Sequence, residues 1–248
     1  MIEIRNICKS FEDRVILEGI SGKFLDSNNS LIIGASGTGK SVLLKCIVGL
    51  IPPDKGDVLF DGRSLYNSPA SEVKKIRREM GMLFQGTALF DSMTVEENVM
   101  FPLKMLSDLS LSERLDRVNF CLQRVNLPSS HKLFPSEISG GMKKRVAIAR
   151  AIAMNPKYLY CDEPNSGLDP RTSIVIDELI QEITEEYQTT TVINTHDMNS
   201  VLTMGENILF IHKGKKWWSG TSEEIFHSGN SELDDFIFAG KLMKGLRR

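Results

Sequence analysis

Two short stretches carry the residue types that chemistry on a phosphate chain requires. Gly34–Ser41 reads G-A-S-G-T-G-K-S and fits the phosphate-loop pattern G-x-x-x-x-G-K-[ST]. With Gly near ~7% and assumed frequencies of ~6% for Lys and ~13% for Ser plus Thr, chance gives such a match in about 1% of chains this long. The loop follows an apolar run, Leu31–Ile33, and opens a helix near Lys40. Successive backbone N–H groups there form an anion nest, and the helix N-terminus adds the positive end of its dipole. Lys40 is expected to reach the β- and γ-phosphates of a nucleotide, and the Ser41 hydroxyl to ligate Mg2+.

The second stretch, Tyr158–Glu163, is an apolar run ending in two acids. Asp162 is placed to hold Mg2+ through its water shell. Glu163, one residue on, can polarise an attacking water as general base. An Asp-Glu strand end says little alone and much beside a phosphate loop. A third element is Ser139-Gly140-Gly141, followed by a helical run to Met154 that Asn155-Pro156 stops. Ser139 is a natural N-cap, and the glycines permit close backbone approach. Alone, this reads as a capped helix after a loop. It would also be a second anion-binding helix end in a chain whose phosphate loop already holds a triphosphate. The economical solution is that it caps the nucleotide of another copy.

These residues need elements to hold them. Ile2–Ile7, Val15–Phe24, Ser30–Ile33 and Val58–Phe60 read as strands between Gly, Asp and Asn turns. Leu43, Leu44, Ile47 and Val48 give the helix after Gly39 an apolar face, and Pro52-Pro53 stops it. Gly81–Gln85 reads as a buried strand, and about 93–154 as helical, with Leu115, Val118, Leu122 and Val125 forming an amphipathic stripe. Strands return at Tyr158–Asp162 and Thr190–Asn194, with a helix around Ser173–Tyr187 between them. Ile208–Ile211 and Lys216–Ser219, joined at Lys213-Gly214, look like a hairpin. The order is an α/β core, a helical insert, then the core again. Lys74, Lys75, Arg77 and Arg78 read as the solvated face of a short helix.

Composition sets the outer limits. The chain has 248 residues, 41% hydrophobic and 25% charged, as in an ordinary globular protein. A net charge of -2 gives no basic footprint for nucleic acid. Cys8, Cys46, Cys121 and Cys161 lie far apart with no C-x-x-C pair, so reduced, mostly buried thiols are expected. No signal-peptide core and no run of ~18 apolar residues occurs, so a cytosolic protein that does not itself span a membrane is expected.

Taken in order, the phosphate loop, the S-G-G helix, the strand ending Asp-Glu, S-G-L-D and a T-H-D strand resemble the ATPase domain of ABC transporters, to about Gly220. The resemblance implies an α/β P-loop NTPase fold with a RecA-like core, an N-terminal antiparallel β subdomain and a helical insert. It implies one domain over 1–248: core about 1–90 and 155–222, helical subdomain about 91–154, tail about 223–248. It implies that ATP and Mg2+ are bound by Gly34, Ala35, Ser36, Gly37, Thr38, Gly39, Lys40, Ser41 and Val42. Gln85 becomes the Q-loop glutamine, sensing Mg2+ and the attacking water where a membrane partner docks. Ser139, Gly140 and Gly141 become the signature acting in trans, Asp169 the D-loop aspartate at a dimer interface, and His196 the switch histidine on the γ-phosphate. Phe11 stands where an aromatic stacks on adenine. The signature reads I-S-G-G-M, with Ile138 for the usual Leu and Met142 for the usual Gln, and Phe11 replaces the commoner Tyr. Backbone N–H groups, helix dipole and ring face all survive these changes, so activity should persist.

Met82–Asp91, S-M-T-V-E-E-N-V, F-P-L at Phe101–Leu103 and S-G-G-M look like the ATPase of Mla-type (MCE) lipid transporters. That resemblance implies a second copy of the chain, an integral membrane permease, a lipid-binding MCE protein, a STAS-domain partner, and phospholipid as cargo. The place implied is the cytoplasmic side of the inner membrane, as a peripheral subunit. The alternatives are an ABC ATPase for another solute and a soluble ABC ATPase such as one assisting iron–sulfur cluster assembly. In the tail, Leu233, Phe236, Ile237 and Phe238 have helical spacing, followed by Lys241, Lys244, Arg247 and Arg248. This reads as a short helix packed on its own core with a frayed basic end, the alternative being a tail that docks on the second copy or a partner.

Overall fold

The structure, a computed structural model, describes residues 1–238. Among the described residues, ten strands form two sheets. One is antiparallel, of four strands in the order β2 (Arg14–Phe24), β1 (Ile2–Phe11), β4 (Lys55–Phe60) and β5 (Arg63–Ser64). The other has six, in the order β10 (Lys215–Gly220), β9 (Asn207–His212), β3 (Asn29–Ile33), β8 (Thr190–Asn194), β7 (Tyr158–Asp162) and β6 (Met80–Leu83). Its strands run parallel except for β10, which closes one edge as an antiparallel hairpin with β9.

Strands β3, β7 and β8 are buried at every position because both faces of the sheet are covered. Alternate residues divide between two cores. Leu31, Ile33, Leu159, Cys161, Ile193 and Phe210 face one. Ile32, Tyr158, Tyr160, Val192, Leu209 and Ile211 face the other. On the second side lie the antiparallel sheet and α1 (Lys40–Ile47), whose Leu43, Leu44, Cys46 and Ile47 are fully buried. Each such aliphatic side chain contributes about 1.5–3 kcal/mol by leaving water.

On the first side lie α3 (Val95–Leu106), α4 (Leu111–Arg124), α5 (Gly140–Ile152) and α6 (Pro170–Tyr187). Thr94 with Glu97, and Ser110 with Glu113, form capping boxes that start α3 and α4. The expected stripe on α4 packs inward, with Val118, Leu122 and Val125 fully buried and Leu115 partly so, and Cys121 joins it. The basic residues 74–78 lie on α2 (Ala70–Arg78), of which only Ile76 is buried.

Several expectations shift at their edges. The strand read as Gly81–Gln85 is Met80–Leu83, because the chain turns at Phe84, whose carbonyl accepts from Thr87 N at 2.9 Å. The helix expected from Ser173 starts at Pro170, since Asp169 caps it and proline suits a first turn. A further helix, α7 (Met198–Met204), follows the T-H-D segment on an Asp197 cap. In the tail, α8 (Ser231–Ile237) buries Leu233 and Ile237. Lys241, Lys244, Arg247 and Arg248 lie outside the described residues. Three of the four cysteines are buried and all are free thiols.

Candidate functional site

The parallel strands β3, β7 and β8 end side by side, and their C-terminal ends carry the site. β3 runs into Gly34–Gly39, and α1 begins at Lys40. Gly34 has φ +148 and a β-carbon there would stand 2.3 Å from the Ile211 carbonyl oxygen. Gly39 has φ +103 and a β-carbon would meet Leu17 Cδ2 at 2.8 Å. Glycine is required at both ends of the loop by conformation and by space. Between them Thr38 Oγ1 donates to the Ala35 carbonyl at 2.8 Å, closing the turn. Ser36 and Gly37 are exposed at its rim, and Val42 is half-buried on α1. The first-turn N–H groups of α1 have no intrahelical acceptors and open onto this loop.

Lys40 is 6% exposed, and its Nζ donates to the carbonyls of Gly34 (2.9 Å) and Ala35 (3.1 Å). Burial pulls its ammonium below the ordinary lysine value, opposed by the charges of Glu163 and Asp162. A hollow of about 270 Å³ beside it is lined by Arg14, Ile16, Gly37, Gly39, Lys40, Ser41 and Val42.

Ser41 and Asp162 meet across the strand ends, with Ser41 Oγ 3.3 Å from Asp162 Oδ1. Asn194, at the end of β8 between them, is fully buried. Its Nδ2 donates to Asp162 Oδ1 at 2.5 Å and to Ser41 Oγ at 3.1 Å. Its own Oδ1 is buried without a hydrogen-bond partner. Asp162 forms no ion pair among the described residues. Its neighbour Glu163 is buried as well, and Lys40 and Lys144 are the nearby buried cations. A hydroxyl and a buried carboxylate, with room left for water and phosphate oxygens, suit Mg2+, which takes few protein ligands. The residues present therefore fit the ion.

Glu163 has φ +50, a left-handed conformation that costs a residue with a β-carbon about 1–2 kcal/mol. Its N–H donates to the Asn194 carbonyl at 2.8 Å. Its Oε2 lies 2.7 Å from Nδ1 of His196, whose ring is half exposed. Gln85 is exposed and its side chain forms no hydrogen bond with the described residues, so the structure brings only its backbone to the site: Lys144 Nζ donates to its carbonyl at 2.7 Å.

Other predicted residues lie apart from this cluster. Ser139 caps α5, accepting from Met142 N at 3.3 Å, and no hydrogen bond links Ser139–Gly141 to residues 34–42. A β-carbon on Gly141 would stand 2.8 Å from Thr172 Cγ2, so this helix start is packed against the start of α6. Asp169 caps α6, accepting from the N–H groups of Arg171 and Thr172 at 3.0 and 3.1 Å. The Thr172 hydroxyl and these amides hold its carboxyl below the usual range. Phe11 is exposed at the end of β1, in register with Arg14, whose side chain lines the hollow.

Sequence reasoning missed Asn194, Arg14 and Lys144. Asn194 carried a signal, since an amide that directly follows the apolar pair Val192-Ile193 and stands two residues before His196 has no packing reason to be there. Nothing in the sequence marks Arg14 or Lys144.

The sequence model of the ABC transporter family matches residues 17–166. The chain is 37% identical over 236 residues to the "Probable ribonucleotide transport ATP-binding protein mkl" of Mycobacterium leprae, covering 95% of this chain and 68% of that protein. It is 36% identical over 239 residues to the "Intermembrane phospholipid transport system ATP-binding protein MlaF" of Haemophilus influenzae, covering 96% of this chain and 90% of that one. A "Methionine import ATP-binding protein MetN" from Protochlamydia amoebophila is 40% identical over 195 residues, covering 79% of this chain and 57% of that one. Among solved structures, a dimeric ATP-binding cassette in a post-hydrolysis state with ADP and Pi superposes with a TM-score of 0.81 at 32% identity, covering 90% of this chain and 99% of that one.

Proposed function

The chain belongs to the ABC transporter family and is an ATPase, and from that premise we propose that it energises phospholipid trafficking between inner and outer membranes as a subunit of an Mla-type complex. The observation that carries the ATPase chemistry is the meeting of Lys40, Ser41, Asp162 and Glu163 at adjacent strand ends, with His196 on Glu163. Bound Mg2+ supplies charge neutralisation on the phosphoryl oxygens, held by Ser41 and Asp162. The loop N–H groups and Lys40 hold the phosphates. Glu163 takes the proton of the attacking water as its oxygen bonds to the γ-phosphorus and the bond to ADP breaks. Gln85 lies on the segment that reports Mg2+ and water to a partner. Ser139, Gly140, Gly141 and Asp169, exposed or half-exposed and apart from their own phosphate loop, suit contact with the nucleotide of a second copy.

A permease partner is supported by an apolar hollow of about 420 Å³ beside the Q-loop, lined in part by Met82, Phe84, Phe90, Phe101 and Leu106. None of the described helices is long and apolar enough to cross a membrane, and in this reading the permease supplies that path. The phospholipid reading is supported by the M-L-F-Q-G-T-A-L-F-D and S-G-G-M segments and by the near full-length match to the Haemophilus influenzae protein. An MCE lipid-binding protein and a STAS-domain partner complete the proposed assembly.

The test is purification of the native complex from membranes, followed by reconstitution. Fluorescent phospholipid should pass from donor vesicle to acceptor in an ATP-dependent way, and Lys40→Ala should stop it. Transfer of a ribonucleotide or methionine without lipid transfer would overturn the cargo assignment. Co-purification with a cluster-assembly scaffold and no integral membrane protein would overturn transport itself.

A further inference from the structure

Lys144 is a buried cation that the phosphate chemistry does not use. It is 3% exposed, just over one turn into α5, and forms no ion pair among the described residues. Its Nζ donates to two backbone carbonyls, of Gln85 at 2.7 Å and of Glu163 at 3.2 Å. An ammonium buried without a carboxylate is costly, and a methionine of similar length would fill the space without that cost. Burial accordingly lowers its proton affinity, while Cys161, Glu163 and Asp162 oppose the shift. What a methionine cannot do is hold those two carbonyls.

Both carbonyls sit at points where the backbone needs holding. Glu163 is left-handed, and its N–H is already fixed on the Asn194 carbonyl at 2.8 Å. The bond from Lys144 fixes the peptide on its other side, so the residue is clamped at both ends. Gln85 begins a turn that continues through Thr87 and Ala88, both also left-handed. Arg150, on the same helix, takes their carbonyls at 2.6 and 2.7 Å. One helix thus grips segment 85–88 at three carbonyls and Glu163 at a fourth.

We propose that Lys144 is a positioning residue that fastens the backbones of Glu163 and Gln85 to α5 and so sets the direction of the Glu163 carboxylate. The inference rests on the reading of Glu163 as general base. Because the carboxylate's direction matters to water activation and little to nucleotide capture, loss of Lys144 acts on turnover rather than on binding.

The test uses the full chain with Lys144→Met, Lys144→Arg and, alongside, Glu163→Gln. Fluorescent ATP titration gives Kd, steady-state hydrolysis gives kcat and KM, and thermal melting reports folding. In Lys144→Met, kcat should fall about 10- to 100-fold, as for a misplacement near 1 Å. Kd and KM should stay within about twofold. Lys144→Arg keeps N–H donors and should recover most of kcat. If the Met variant fails to fold, Lys144→Ala, which admits water to both carbonyls, is read the same way. A folded Lys144→Met or Lys144→Ala with kcat within about twofold of wild type overturns the proposal. So do matched losses of Kd and kcat that arginine leaves unrepaired, which mark a packing role. Wild-type turnover in Glu163→Gln instead removes the reading beneath the proposal, and so separates the two failures.

Discussion

Replacing Asn194 by aspartate probes the geometry around Asp162 with little change in side-chain size. In the native chain the Asn194 amide donates to Asp162 Oδ1 at 2.5 Å within a site where both residues are buried. Asn194→Asp puts a second carboxyl in that position. With both ionised at ~3 Å and an effective dielectric near 20, repulsion is about 5–6 kcal/mol. Keeping the introduced acid protonated at pH 7, against a reference value near 3.9, costs about 4 kcal/mol. Protonation is cheaper, so the pair shares a proton. The folded-state pKa of the new acid is therefore raised above its unfolded value. Its contribution is harmless below about pH 4, and stability is lost as pH rises, by about 1.4 kcal/mol per unit. Urea unfolding at pH 5 and pH 7 should show the variant about 1.5 and about 4 kcal/mol less stable than wild type, with unchanged m values. Parallel loss at the two pH values, or none, would show that Asn194 does not face Asp162.

Three further outcomes bear on the reaction. Glu163→Gln should leave ATP affinity unchanged and cut kcat about 10²- to 10⁴-fold, and a loss under about tenfold would move the base elsewhere. Phe11→Ala should cost ATP about 1–3 kcal/mol of binding, as for other base–aromatic stacks, while inorganic tripolyphosphate binds as before; equal ATP affinity would take the ring out of the site. Mixing an inactive Ser139→Arg variant with Glu163→Gln pairs the lesions so that one composite site carries both and the other neither. ATPase should partly return on mixing, and its absence would count against a contact in trans.

The legible parts of this molecule are those whose signal is local. The phosphate loop was readable because Gly34 and Gly39 meet a conformational demand that only glycine satisfies cheaply, which forces a short, fixed pattern into the sequence. The central strands were readable because burial on both faces leaves short apolar runs, Leu31–Ile33, Tyr158–Cys161 and Val192-Ile193. The helical layer was read only as a stripe and a span. Its two capping boxes, T-V-E-E at Thr94 and S-L-S-E at Ser110, were local signals too and would have fixed both helix starts. Asn194 and Lys144 lie at the other extreme. Each acts through partners far along the chain, Ser41 and Asp162 for one, Gln85 and Glu163 for the other, and their roles exist only once the strand order brings those partners together.

That division has a mechanical consequence. The phosphate loop and the Asp162–Glu163 strand end belong to one parallel sheet, whose strands share two continuous cores and so have little freedom to move apart. Segment 85–88 has no such support. Gln85 is exposed, two neighbours are left-handed, and three of its carbonyls are held by side chains of α5. A displacement of α5 must therefore pull on segment 85–88 and, through Lys144, on the carbonyl of Glu163, before it can deform the sheet. The same helix begins at Ser139–Gly141 and carries Arg150 and Ala151 into the wall of the apolar hollow. Force applied at either end of α5 thus reaches the residue assigned to activate water, and the buried ammonium just over one turn into the helix is the link whose removal should leave binding and chemistry uncoupled.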